Sequence, residues 1–301
     1  MQISFQLTRA AKIRGAALGA AGLASLALAV DARADPYATA WASAQKSAMR
    51  LIASAAGEPR GFYRAGAEIR LDPGALTYWR TPGGAGAPPV FSFDGSENVA
   101  GVTVLYPAPT RIDESGTEVF GYFGEVTFPF HVTPKDDARP AILALTLRYA
   151  VCERLCLPAK AEARLSLPPL QSAGSDARLR AAVAEADGPE AAIAAAEAKA
   201  PVRLSATERD AKVAIERIAG APSPSWRLAT LSGDLQDLFA EAPEGWYFET
   251  RKSDRPNEFL IVEVERPKAE SADAVPVTLT LTEARQSYEF AVELGGPSSR
   301  P

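Results

Sequence analysis

Two cysteines, Cys152 and Cys156, are the only thiols in the 301-residue chain. Three chemistries fit a pair separated by three residues. One is dithiol–disulfide exchange, in which one thiolate reaches an incoming sulfur and the second resolves the mixed disulfide. Another is an inert bridge in a secreted domain that serves as a binding or scaffold module. The third is a Cu(I) site, in which the pair acts with a further sulfur or imidazole. Outside the first residue the chain offers only Met49 and His131 for that purpose. The single histidine also excludes most histidine-based catalysis and His-rich metal sites. No resident metal or cofactor is assigned. A bridge closing five residues restricts the unfolded chain by roughly 2 kcal/mol, against almost 5 for a loop of about a hundred, so it is a weak staple for a chain able to build a core.

The element that must position the pair is a β-hairpin. Leu143, Leu145, Leu147, Tyr149 and Val151 alternate with Ala144, Thr146, Arg148, Ala150 and Cys152, and Leu157 to Leu167 alternate in the same way on the return. This is the period-two signature of half-buried strands. The loop is Glu153-Arg154-Leu155, Cys152 falls opposite Cys156, and both cysteines share the parity of the polar face. Directly opposed Cβ atoms lie about 4.5–5.5 Å apart and a relaxed disulfide prefers about 3.8 Å. A bridge here is therefore expected to be strained, exposed and reducible. Arg154 in the loop and Arg148 on the same face are candidates to lower a thiolate pKa, and Glu153 opposes them.

Residues 1–34 read as an export leader: Arg9, Lys12 and Arg14, then apolar Gly15 to Val30, then Ala32-Arg33-Ala34. The mature chain would begin at Asp35 and be periplasmic. Arg9, Lys12, Arg14 and Arg33 against Asp31 give the leader +3, so its removal takes the formal charge from −5 to −8. That surface argues against nucleic acid or anionic lipid as a partner. No later stretch approaches the roughly 20 apolar residues of a membrane span. In an oxidising compartment two cysteines are expected to be paired.

From Ser47 to Leu167, short alternating runs are separated by Asp72-Pro73-Gly74, Pro82-Gly83-Gly84, Asp94-Gly95 and Pro134 to Asp137. They read as strands at 47–53, 62–71, 76–79, 89–93, 99–106, 122–132, 142–152 and 156–167, an all-β antiparallel sandwich. Residues 171–200 are alanine-rich, broken at Gly188-Pro189, and read as a helical linker acting as a spacer. Alternation returns at 260–265, 275–281 and 288–294, giving a second, smaller β domain over 201–301. This leaves 35–170 as the domain with the cysteine hairpin. Glu263, Glu265 and Glu283 read as solvated strand faces, His131 as an ordinary strand residue, and Tyr78, Trp79, Tyr106 and Tyr122 as core or rim aromatics.

Tyr78-Trp79-Arg80-Thr-Pro82-Gly83 with Gly86-Ala-Pro88-Pro89, then Ser96-Glu-Asn98, Tyr106-Pro-Ala-Pro109, Gly121-Tyr122, Phe128-Pro129 and Cys152…Cys156-Leu-Pro158-Ala159, resemble the N-terminal periplasmic domain of the thiol:disulfide interchange protein DsbD, a protein-disulfide reductase, and its suppressor-of-copper-sensitivity relatives. The likeness covers about 45–170. It implies an immunoglobulin-like sandwich that takes electrons from a thioredoxin-like or DsbD-type membrane reductase and passes them to oxidised periplasmic proteins. It also implies that Cys156 forms the mixed disulfides and Cys152 resolves them. The family's shielding aromatic sits on a cap loop; here that position falls at Ser115-Gly116, which leaves Phe120 and Tyr122 as candidate shields. The membrane conduit and the thioredoxin-like domain of DsbD have no counterpart in this sequence.

Overall fold

A computed structural model describes residues 35–57, 61–170, 188–231, 234–267 and 274–295. The leader and the first part of the alanine-rich stretch, residues 171–187, lie outside the described residues.

The first sandwich pairs two sheets. One runs β1 (Ala42–Ala44), β2 (Ser47–Gly57), β3 (Tyr63–Leu71), β9 (Glu125–Pro134) and β6 (Val99–Val104). The other runs β11 (Cys156–Leu167), β10 (Ala141–Cys152), β4 (Leu76–Gly83), β8 (Thr117–Phe123) and β7 (Thr110–Glu114), with β5 (Val90–Ser92) also pairing with β10. Alternation decides which side chains meet between the sheets. Leu143, Leu145, Leu147, Tyr149 and Val151 of β10 face Met49 and Leu51 of β2, Ile69 of β3, Phe128 and Phe130 of β9, and Trp79 of β4 in one buried core. Met49, weighed as a metal ligand, is buried there completely.

Two differences from the sequence reading are local. The expected strand at 122–132 is two strands, because Gly124 takes φ +69° between β8 and β9. The β7–β8 hairpin was not anticipated. Its turn is Ser115-Gly116, with φ of +56° and +87°, the two left-handed positions of a type I′ turn.

The helix α1 (Pro189–Lys199) starts at the Gly188-Pro189 step read as an interruption, with Gly188 as N-cap and Pro189 in the first turn. It is docked and does not act as a free spacer. Ile193 is fully buried, the helix packs against β2 and β9, and the Ala108 amide donates to the Lys199 carbonyl at 2.9 Å. Arg64 of β3 donates to both Glu197 oxygens and, at 2.6 Å, to Glu190. Small alanines let the helix lie close, and the guanidinium clamps it. His131, in β9 as expected, stacks on Phe62 and lies 3.5 Å from Glu197. Arg64→Ala removes charged hydrogen bonds worth about 1.5–3 kcal/mol. Urea unfolding is expected to show a loss of that order.

After α1 come β12 (Val202–Arg203), α2 (Ala206–Lys212), β13 (Val213–Arg217), β14 (Ser225–Thr230), β15 (Leu235–Glu241), β16 (Tyr247–Lys252), β17 (Glu258–Glu265), β18 (Ala274–Glu283) and β19 (Ser287–Gly295). They form two four-stranded sheets, β12-β19-β18-β15 and β13-β14-β17-β16, around a core of Trp226, Leu228, Phe248, Ile261, Leu279 and Phe290. All pairings are antiparallel except β12 with β19. Glu263 pairs with Arg266 and Glu283 with Lys212, and with side chains 9% and 13% exposed they are not the solvated faces expected, while Glu265 is exposed. Phe239 of β15 joins the core of the first sandwich against Phe120 and Trp79. Around it Arg111 donates to Asp237 and the Leu238 carbonyl, both at 2.8 Å, and Arg80 binds Glu241 at 2.6 Å and Glu289. Among the described residues no helix is long and apolar enough to cross a membrane.

Candidate functional site

The β10–β11 hairpin has the register read from the sequence, with Cys152 opposite Cys156 and Glu153 to Leu155 as its tip. The two sulfurs are bonded, with Cα atoms 4.1 Å apart. The expectation of a shared open face holds for one cysteine only. Cys156 is exposed; Cys152 is 1% exposed. The cover comes from strands that sequence parity does not reveal. β4 pairs with the end of β10, placing Leu76 beside Cys152, and Tyr78, Ile112 and Val119 complete a small apolar cluster around that sulfur.

Tyr78 therefore shields the bridge and is more than a core aromatic. Its hydroxyl lies 2.9 Å from Cys152 Sγ, 3.5 Å from Cys156 Sγ and 2.7 Å from Glu114 Oε2. Glu114 is the last residue of β7, held beside the bridge by the type I′ turn, and its Oε1 lies 3.5 Å from Cys156 Sγ. Burial first, and then the hydrogen bond to Glu114, push the Tyr78 phenol well above its ordinary value. It keeps its proton at neutral pH and acts as a donor to carboxylate or sulfur.

Phe120 and Tyr122 do not shield the cysteines. On β8 it is Val119 that faces them, and alternation sends Phe120 and Tyr122 to the opposite side, into the main core. Phe120 packs against Phe239 at 4.9 Å, and Tyr122 donates to the Pro107 carbonyl at 2.7 Å. The candidate pKa-tuning residues are also displaced. Glu153 pairs with Lys46, whose ammonium holds its carboxyl below the usual range. Arg154 is exposed at the tip, and Arg148 lines a groove further along. Among the described residues, the polar side-chain atoms within 3.5 Å of the sulfurs belong to Tyr78 and Glu114.

That groove, of about 430 Å³, runs beside Cys156 between Pro88, Val90, Leu157 and Pro158, with Arg148 and Lys160 at its rim. The loop bordering it also clamps the shield. Gly86 has φ +92°, and a Cβ there would stand 2.3 Å from the Tyr78 ring. Gly86→Ala is expected to displace Tyr78 and to cost about 1–3 kcal/mol by overpacking. The rate of disulfide reduction by a small phosphine should rise several-fold as Cys152 is uncovered.

Sequence reasoning missed Tyr78 and Glu114. The acid immediately before the Ser115-Gly116 turn was a usable signal; the approach of β4 to Cys152 had no local signal.

Residues 45–168 match the family model for the thiol:disulfide interchange protein DsbD, N-terminal. No curated protein matches the chain. Among solved structures, the N-terminal periplasmic domain of ScsB from Proteus mirabilis superposes with a TM-score of 0.62 at 20% identity, covering 87% of this chain and 99% of that one. The likeness of fold thus extends through the second sandwich. The resemblance carried by the Trp79, Tyr106 and cysteine-hairpin motifs is borne out: over residues 45–168 the chain matches the DsbD N-terminal family, and its overall fold is that of the ScsB domain.

Proposed function

We propose that this chain is a periplasmic thiol–disulfide interchange protein that relays electrons between a thioredoxin-like or DsbD-type membrane reductase and oxidised periplasmic proteins, through Cys156 and Cys152. The observation that carries the reading is the asymmetry of the bridge: one sulfur is open to a partner and the other lies buried under a hydroxyl. Exchange requires access to the attacked sulfur and a stabilised leaving thiolate. The thiolate of a reduced partner attacks Cys156 Sγ, the S–S bond breaks, and Cys152 leaves as a thiolate accepting the Tyr78 hydroxyl hydrogen bond. The partner's second thiolate then attacks its own sulfur in the mixed disulfide and releases Cys156. Two electrons pass to the chain, two protons follow, and the reverse sequence reduces an oxidised protein. The apolar groove beside Cys156 seats the partner's residues flanking its cysteine.

Equilibration with glutathione and with thioredoxin tests this reading. A potential above about −300 mV, in the range of exchanging pairs, is expected; a value well below it, typical of structural bridges, would sink the proposal. So would full function in cells of a Cys152→Ala/Cys156→Ala chain.

A further inference from the structure

We infer that the reduced pair, together with Glu114, forms a site for a thiophilic divalent cation of the zinc type, and that the metal-bound state is closed to exchange. The inference rests on the bridge being reducible, as the proposed function requires. The Cys152 and Cys156 sulfurs and a Glu114 oxygen all lie within 4.8 Å of one another. In a tetrahedral site with Zn–S near 2.3 Å and Zn–O near 2.0 Å, neighbouring sulfur and oxygen ligands stand about 3.5 Å apart, and two sulfurs about 3.8 Å. Glu114 Oε1 is already 3.5 Å from Cys156 Sγ, so that edge of the tetrahedron exists before any metal arrives. Reduction releases the sulfurs to separate, and the opposed strand positions can hold them at the second spacing.

The donor set selects the ion. Two thiolates alone can hold Cu(I), and the further soft donors the sequence offered are elsewhere: Met49 is buried in the main core and His131 lies beside Glu197. The third group here is a carboxylate, and two thiolates with one carboxylate suit a borderline divalent ion that keeps one position open. Tyr78 serves as the outer partner, with its hydroxyl 2.7 Å from the other Glu114 oxygen and 2.9 Å from Cys152 Sγ. Ligands oriented in this way bind more tightly. Binding exchanges two thiol protons for the cation with no change of oxidation state, and it occupies the sulfur that would attack an oxidised partner.

The test uses the chain reduced by a phosphine, which supplies the two electrons, then freed of reductant under anaerobic conditions and titrated with Co(II) alone. A thiol reagent should first count two thiols. One equivalent of Co(II) should then give thiolate-to-cobalt charge-transfer absorption with a tetrahedral visible spectrum, abolished by one equivalent of Zn(II) and absent from the oxidised chain. Glu114→Gln should weaken binding at least tenfold, Glu114→Asp less, and Tyr78→Phe about 10–100-fold. Two released thiols without a cobalt spectrum, or an affinity unchanged in Glu114→Gln, overturns the metal site and leaves the exchange reading standing. No released thiols overturns both.

Discussion

A Cys152→Ala chain, its Cys156 loaded with an aromatic disulfide reagent, is expected to form a stable covalent complex with a thioredoxin that retains only its attacking cysteine. Cys156→Ala, loaded in the same way on Cys152, should react at least about tenfold more slowly, because exchange needs access to the sulfur and Cys152 is 1% exposed under Tyr78. Turnover of either variant should fall to the uncatalysed level, since each lacks one of the two sulfurs a complete two-electron transfer requires. Non-reducing electrophoresis reads the complex. Equal trapping by both variants would remove the assignment of Cys156 as the partner-facing sulfur. The prediction does not depend on the identity of the physiological donor, because it tests the shape of the hairpin end.

The second large effect concerns stability. Phe239 belongs to β15 but is fully buried in the core of the first sandwich, 4.9 Å from the Phe120 ring and 5.8 Å from Trp79. The Arg111 guanidinium lies over it while binding Asp237 and the Leu238 carbonyl. Phe239→Ala therefore opens a cavity beneath a half-buried ion pair, and a loss of about 3–5 kcal/mol is expected. Urea unfolding followed by tryptophan fluorescence should show the lower midpoint and a single transition resolving into two, as each sandwich loses its hold on the other. A loss below about 1 kcal/mol would mean that the junction contributes little to either core.

What was legible in the sequence was whatever repeats locally. The period-two pattern from Leu143 to Leu167 fixed the hairpin and the Cys152–Cys156 register, and the runs ending in Val264, Leu281 and Leu294 marked β17, β18 and β19. Cys152 is buried against its parity because parity separates two faces without saying what covers them. The covering residues, Leu76, Tyr78 and Val119, arrive through pairings 30 or more positions away in sequence. Phe120 and Tyr122 were misplaced for the same reason in reverse: one residue of offset along β8 sends a side chain to the other face. Beside the Ser115-Gly116 turn, the residue that reaches the cysteines is an acid, Glu114. An alanine-rich segment looks like a spacer until Ile193 and the Arg64 contacts anchor it, and those contacts join residues more than 120 positions apart.

The central claim is that Cys156 is the sulfur through which this chain exchanges electrons. Its most direct test is acid-quenched mass spectrometry of the unmodified oxidised chain mixed with a reduced thioredoxin whose resolving cysteine has been replaced. An adduct mapped to Cys156, with Cys152 free, is expected. An adduct on Cys152, or a bridge that remains intact while the same thioredoxin reduces a control disulfide, would contradict it.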